Sequence, residues 1–122
     1  MQNYHYHVEG DELYIFLEYA GGGTLLGKIK RLREQGRTMD ENQVRIYTKQ
    51  MLRGLEYLHC IKGIFHRDIK PDNILLSLSE TVKISDFGES KFVDRSNMTT
   101  VGTAAYMAPE IVLVGVSNRR TR

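Results

Sequence analysis

Between residues 66 and 86 the chain gathers the side-chain types that metal-assisted phosphoryl transfer requires. The run His66-Arg67-Asp68-Ile69-Lys70-Pro71-Asp72-Asn73 supplies carboxylates, an ammonium group and an amide, and Asp86-Phe87-Gly88 begins thirteen residues after Asn73. Moving a phosphoryl group from a nucleotide needs cations to neutralise the phosphates, a carboxylate to orient the attacking hydroxyl, and a positive charge beside the transferred group. Taken singly, such tripeptides have a bland explanation, because Asp, Asn and Gly commonly make turns. Their order, their spacing, and the later Gly102-Thr103 and Ala108-Pro109-Glu110 outweigh it. His5, His7 and His59 keep no such company and are expected to be solvated or packed.

Composition sets the frame. At 122 residues the chain is one domain at most, able to bury about two-thirds of the surface its unfolded form exposes. Lys and Arg number 17 against 15 Asp and Glu, a net +2 spread along the chain until the short tail Arg119-Arg120-Thr121-Arg122. That pattern argues against nucleic acid or an anionic membrane as a partner. A single cysteine, Cys60, excludes an intrachain disulfide and fits a reducing compartment, and its place at the end of an apolar helical run suggests packing. No apolar run approaches the roughly 18 residues of a membrane span, and the polar start is no signal peptide. A cytoplasmic or nuclear location is expected.

The elements that must position these residues can be read from periodicity. Leu13-Tyr14-Ile15-Phe16-Leu17-Glu18-Tyr19 follows the turn-like Gly10-Asp11 and ends at Gly21-Gly22-Gly23, which predicts a buried strand running into a flexible hinge. Thr24 can cap a short helix with Leu25, Ile29 and Leu32 on one face and Gly36 at its end. Asp40 with Gln43 resembles a capping box before a longer helix, whose Val44, Tyr47, Met51, Leu55 and Leu58 form one apolar stripe ending near Gly63. Ile74-Leu75-Leu76 and Val82-Lys83-Ile84-Ser85 predict a hairpin flanked by the two acidic motifs. The polar stretch from Glu89 to Thr103 has neither period and reads as a long functional loop.

Over about Asp11 to Val112 these motifs resemble the eukaryotic-type protein kinases. The resemblance implies an α+β kinase-like fold: strand and hinge over 11–23, the helical and catalytic-loop part over 24–85, and an activation segment over 86–110. It implies ATP and magnesium as cofactors, with Asp68 as catalytic base, Lys70 beside the γ-phosphate, and Asn73 and Asp86 as Mg2+ ligands. Oxygen donors suit a hard ion that keeps part of its water shell, hence magnesium and not zinc. Leu17 matches the gatekeeper behind the adenine, Glu18 and Ala20 the hinge residues whose backbone bonds its edge, and Leu75 the apolar floor beneath it. The resemblance also places Thr24 among the nucleotide-binding residues. His66 and Phe87 resemble the stacked pair that ties the base to the magnesium aspartate.

Lys70 and Gly102-Thr103 resemble the serine/threonine class, with Thr103 contacting the base from the substrate loop. The Glu18-to-Thr24 hinge and Tyr106-Met107-Ala108-Pro109-Glu110 look most like the MAP kinase kinase kinase group, which implies a protein substrate such as a downstream kinase. Thr99, by its distance from Glu110, matches the activating phosphothreonine, with Thr100 beside it and Arg67 and Lys91 as the phosphate's basic pocket. The glycine-rich loop, strand lysine and helix glutamate that precede the catalytic loop in the family are not in residues 1–122. Nor are the helices that follow, and 113–122 departs from the family pattern. The chain is therefore expected to be part of a kinase domain, ending the small lobe and beginning the large one, and inactive alone. A kinase-like binding or decoy protein is the alternative. A small-molecule kinase is disfavoured by Gly102-Thr103 and Ala108-Pro109-Glu110.

Overall fold

Alternating aromatic and β-branched residues on both sides of Gly10 make the first element pair. In the computed structural model, which describes residues 3–92 and 102–112, β1 (Asn3–Glu9) pairs antiparallel with β2 (Glu12–Leu17). Gly10 turns the chain at φ +59°, a conformation that costs glycine little. The expected strand is present but is not buried. Leu13, Ile15 and Phe16 are all more than half exposed, because among the described residues β2 pairs only with β1 and no layer covers either face of the ribbon.

The apolar interior lies elsewhere, between two helices and a small sheet. Thr24 Oγ1 accepts the Gly27 N–H at 3.0 Å and starts α1 (Leu25–Glu34), and Gly36 at φ +65° ends it. Asp40 accepts the Gln43 N–H at 3.2 Å and starts α2 (Glu41–Glu56). Both caps relieve N–H groups that a helix start leaves unpaired. The short β3 (Gly23–Thr24) pairs antiparallel with β5 (Ile74–Leu76), which pairs with β6 (Val82–Ile84), so the expected hairpin is the heart of a three-stranded sheet. A second small pair joins β4 (Ile64–Phe65) to β7 (Lys91–Phe92).

Leu25, Tyr47, Ile74, Leu76 and Ile84 form the core, with Met39, Met51, Leu55, Leu58, Ile69 and Val82 packed against it. Gly54 lets α2 approach the sheet closely, since a Cβ there would sit 2.9 Å from Ile84 Cδ1. Tyr47 can be 2% exposed because Lys28 Nζ donates to its hydroxyl at 2.8 Å while also pairing with Glu80. A buried hydroxyl without such a partner would be destabilising.

Two helical expectations need correction. The apolar stripe of α2 begins effectively at Tyr47, because Val44 in the first turn is 46% exposed. The helix also runs on into a wider π-type turn over Tyr57–Ile61 before Lys62 and Gly63, the latter at φ +61°. Cys60 is exposed and not packed, because it lies two residues beyond Leu58 and off the face that Leu55 and Leu58 turn to the core. The hinge is likewise tighter than three glycines imply: Gly22 N–H donates to Leu76 O at 2.8 Å, and a Cβ on Gly22 would lie 2.6 Å from Ser77 O.

The split between a small core and an exposed ribbon has a measurable consequence. Tyr47→Ala should remove about 3–5 kcal/mol, the usual cost of deleting a buried aromatic, whereas Ile15→Ala should change stability by about 0.5 kcal/mol or less. Denaturant unfolding of residues 1–122 checks both. Equal losses would show that the ribbon is packed after all.

Candidate active site

The loop from β4 to β5 is held by a buried histidine. His66 is 1% exposed; its Nε2 donates to Ser85 O at 2.8 Å and its Nδ1 accepts the Asp68 N–H at 3.3 Å. Its ring centroid lies 4.9 Å from that of Phe87 at 59°, so the two rings meet in a tilted contact. Ser85 in turn donates to Asn73 O through both its N–H and its hydroxyl, each at 2.9 Å. The segment 66–73 is therefore tied directly to the residues on either side of Asp86. Sequence reasoning gave Ser85 no role; a small hydroxyl residue immediately before Asp86 was the available signal.

Asp68 is the focus of the loop. Its Oδ1 accepts the Thr103 N–H at 2.9 Å and the Thr103 hydroxyl at 2.7 Å, while its Oδ2 accepts Lys70 Nζ at 2.7 Å and Asn73 Nδ2 at 3.0 Å. Asn73 Nδ2 also donates to Asp68 O at 2.9 Å, and Lys70 Nζ to Thr103 Oγ1 at 2.7 Å. The Lys70 bond foremost, then Thr103 and to a lesser degree Asn73, hold the Asp68 carboxyl at about 2 against the opposing effect of burial. Lys70 is shifted up, mainly by its bond to Asp68, with Asp72 and Asp86 adding to the effect. The carboxylate is thus ionised at neutral pH and held at a defined position.

Two residues here adopt a backbone conformation that side chains disfavour: Arg67 at φ +67° and Asp86 at φ +61°. Such conformations cost of order 1–3 kcal/mol each and persist where surrounding contacts overdetermine them. Gly102 closes the other side. At φ +115° its Cα packs so near the loop 66–73 that a Cβ would lie 2.5 Å from Arg67 O, which seats Thr103 on Asp68.

The remaining sequence-derived residues divide into those drawn together and those set apart. Asp86 is exposed, its Oδ1 accepting the Gly88 N–H at 3.3 Å. Arg67 Nε donates to Glu89 O at 2.5 Å, and Lys91 lies opposite Phe65 in the β4–β7 pair, so both basic residues flank one short ladder. Leu17 ends β2 and Leu75 lies in β5 opposite both Thr24 and Lys83. Glu18 forms an ion pair with Lys83, and Ala20 O accepts the Gly23 N–H at 3.2 Å. Thr24 Oγ1 accepts the Gly27 N–H as the cap of α1. Thr99, Thr100 and the tail 113–122 lie outside the described residues.

The donor set fits a hard cation that keeps its own waters. Asn73 has its amide nitrogen engaged twice by Asp68, which leaves Oδ1 as its acceptor, and Asp86 adds an exposed carboxylate. Among the described residues no three His, Cys, Asp or Glu side chains converge as a metal cluster. Magnesium bound beside phosphates asks for one or two protein oxygens, not such a cluster.

The Asp68 network makes a prediction with a definite sign. Its folded carboxyl titrates at about 2, below the unfolded value of about 3.9, so its contribution to stability is complete above about pH 5. That contribution declines as pH falls through 4 and is gone below about 2. Thr103→Val should raise the Asp68 carboxyl toward its ordinary range, as read by carbon-detected NMR titration. An unmoved titration would show that the Thr103 hydroxyl contributes nothing to the carboxylate.

Comparison with known proteins agrees with this geometry. The family described as the protein kinase domain matches residues 1–121. The chain is 42% identical over 106 residues to CBL-interacting protein kinase 11 of Oryza sativa subsp. japonica, covering 83% of this chain and 20% of that protein. It is 40% identical over 110 residues to the ovarian-specific serine/threonine-protein kinase Lok of Drosophila melanogaster, covering 86% and 22%. Serine/threonine-protein kinase STE20 of Eremothecium gossypii is also 40% identical over 110 residues, covering 88% and 11%. The chain thus spans about a fifth or less of the length of these curated relatives. With the loop 66–73 folded around Asp68 and a family match over nearly its whole length, the chain belongs to the protein kinase family.

Proposed function

We propose that the chain is the catalytic-loop part of a serine/threonine protein kinase that transfers the γ-phosphate of ATP to a Ser or Thr hydroxyl of a protein. The observation that carries this reading is the ionised Asp68 carboxylate, which already accepts a threonine hydroxyl, that of Thr103, at 2.7 Å. A carboxylate offers about four acceptor positions, and four donor bonds reach Asp68 from Thr103, Lys70 and Asn73. A substrate hydroxyl must therefore replace one of them. The Thr103 hydroxyl is the one best placed to yield, because its own backbone N–H still holds Oδ1 after it leaves.

In this reading Asp68 orients the substrate oxygen towards the γ-phosphorus. As the new O–P bond forms, the bond to the departing ADP oxygen breaks and the hydroxyl proton passes to Asp68. A carboxyl held at about 2 is a weak base, so orientation is its larger service and proton transfer comes late. Lys70, released from Thr103, accompanies the transferred group. Asn73 Oδ1 and the Asp86 carboxylate are the oxygens that would hold magnesium, which supplies charge neutralisation at the phosphates. Leu17, Glu18, Ala20 and Leu75 line the adenine side.

Sequence supports two finer assignments. The hinge from Glu18 to Thr24 and Tyr106-Met107-Ala108-Pro109-Glu110 favour a role in a MAP kinase-type cascade, with a downstream kinase as substrate. The spacing of Thr99 from Glu110 favours activation by phosphorylation at Thr99 or Thr100, with Arg67 and Lys91 receiving the phosphate.

Radiolabel transfer followed by phosphoamino-acid analysis tests the reaction in the full chain that carries these residues. Phosphoserine or phosphothreonine should be the product, and Asp68→Asn should lower the rate by about 10²–10⁴, the usual contribution of a positioned acid or base. Phosphotyrosine as the main product, or an undiminished rate, would overturn the assignment. For regulation, the Thr99→Ala/Thr100→Ala double variant should fold and match the low turnover of phosphatase-treated wild type. Turnover equal to the untreated enzyme would remove the regulatory claim.

A further inference from the structure

The kinase reading assigns adenine contacts to the backbone of the hinge, which makes whatever fixes that backbone part of the binding apparatus. The segment between β2 and β3 is pinned to the sheet at two points. At its far end Gly22 N–H donates to Leu76 O at 2.8 Å. At its near end the Glu18 carboxylate meets Lys83 Nζ at 2.9 Å, with side chains only 26% and 25% exposed. A pair so withdrawn from water is screened less than an open surface pair.

Lys83 occupies a particular position in the sheet. It lies on β6 directly opposite Leu75 in β5, the apolar floor of the adenine site, and Leu75 is itself opposite Thr24 in β3. Two residues beyond Lys83 is Ser85, whose two bonds to Asn73 O tie β6 to the catalytic loop, and Asp86 follows. One strand therefore carries the anchor of the hinge at its centre and a phosphate-side carboxylate just past its end.

We propose that Lys83 is a positioning residue for the nucleotide: through Glu18 it fixes the hinge backbone relative to Leu75, so that both meet the adenine together. It does not touch the nucleotide. The inference rests on the kinase reading, and it predicts an effect confined to adenine recognition. Losing the pair loosens the hinge, which weakens ground-state and transition-state binding alike and raises KM without lowering kcat.

The test uses the full chain that carries these residues, with steady-state kinetics and direct binding of adenosine and of magnesium tripolyphosphate. Lys83→Met should raise KM for ATP by about fivefold, the scale of a partly screened ion pair, and should weaken adenosine by a similar factor. Values of kcat, peptide KM and tripolyphosphate binding should stay within about twofold of wild type. Lys83→Arg should preserve the wild-type KM. An active Lys83→Met enzyme with unchanged KM for ATP would overturn the proposal, as would equal weakening of adenosine and tripolyphosphate. A wild-type chain that neither binds adenosine nor transfers phosphate would remove the kinase reading itself, and this inference with it.

Discussion

Asp68 keeps a full negative charge while 91% of it is withdrawn from water. A carboxylate in that position is several kcal/mol less stable than in solvent unless hydrogen-bond donors take over the work of the lost water. The donors come from three places: Lys70 two residues on, Asn73 five residues on, and Thr103 thirty-five residues on. Satisfying one charge thereby dictates the shape of the loop and the return of a distant segment. Among the described residues no buried side-chain nitrogen or oxygen is left without a partner, and the Asp68 network is the densest case.

The rest of the local architecture follows from the need to bring those donors in. The three-residue helical turn Pro71–Asn73 swings the Asn73 amide back onto Asp68, and Ser85 holds that turn from the neighbouring strand. Arg67 and Asp86, each next to a residue that His66 bonds, accept a left-handed backbone. Gly102 can approach the Arg67 carbonyl only because it lacks a side chain. The core beneath, centred on Tyr47 and Ile74, is small, and its main task is to hold the β5–β6 hairpin against α2. The Asp68 network and the core therefore meet through the same short hairpin.

Much of this was legible in the sequence where a local rule decides the outcome. Thr24, Asp40 and Gly36 mark helix ends because unpaired backbone groups and positive φ demand particular side chains whatever lies nearby. The hairpin of β5 and β6 announced itself through two apolar runs split by a polar turn. The residues clustered at Asp68 were legible for a different reason, since a fixed chemistry leaves little freedom of type or spacing. What escaped was set by contacts distant in sequence. The exposure of β2 depends on which layers cover it, and the Glu18–Lys83 pair joins residues with no common motif. The three hinge glycines looked like freedom, yet at Gly22 the missing side chain permits a close backbone contact.

The central claim is that the oriented Asp68 carboxylate is the group that receives the substrate hydroxyl, in place of Thr103. A crystal structure of the full chain with a non-hydrolysable ATP analogue, magnesium and a serine peptide addresses it directly. The account predicts the serine hydroxyl at about 2.6–3.2 Å from an Asp68 carboxylate oxygen, with the Thr103 hydroxyl displaced from Oδ1 and its N–H still bound there. A serine hydroxyl held by another residue, with all four donor bonds to Asp68 intact, would contradict it.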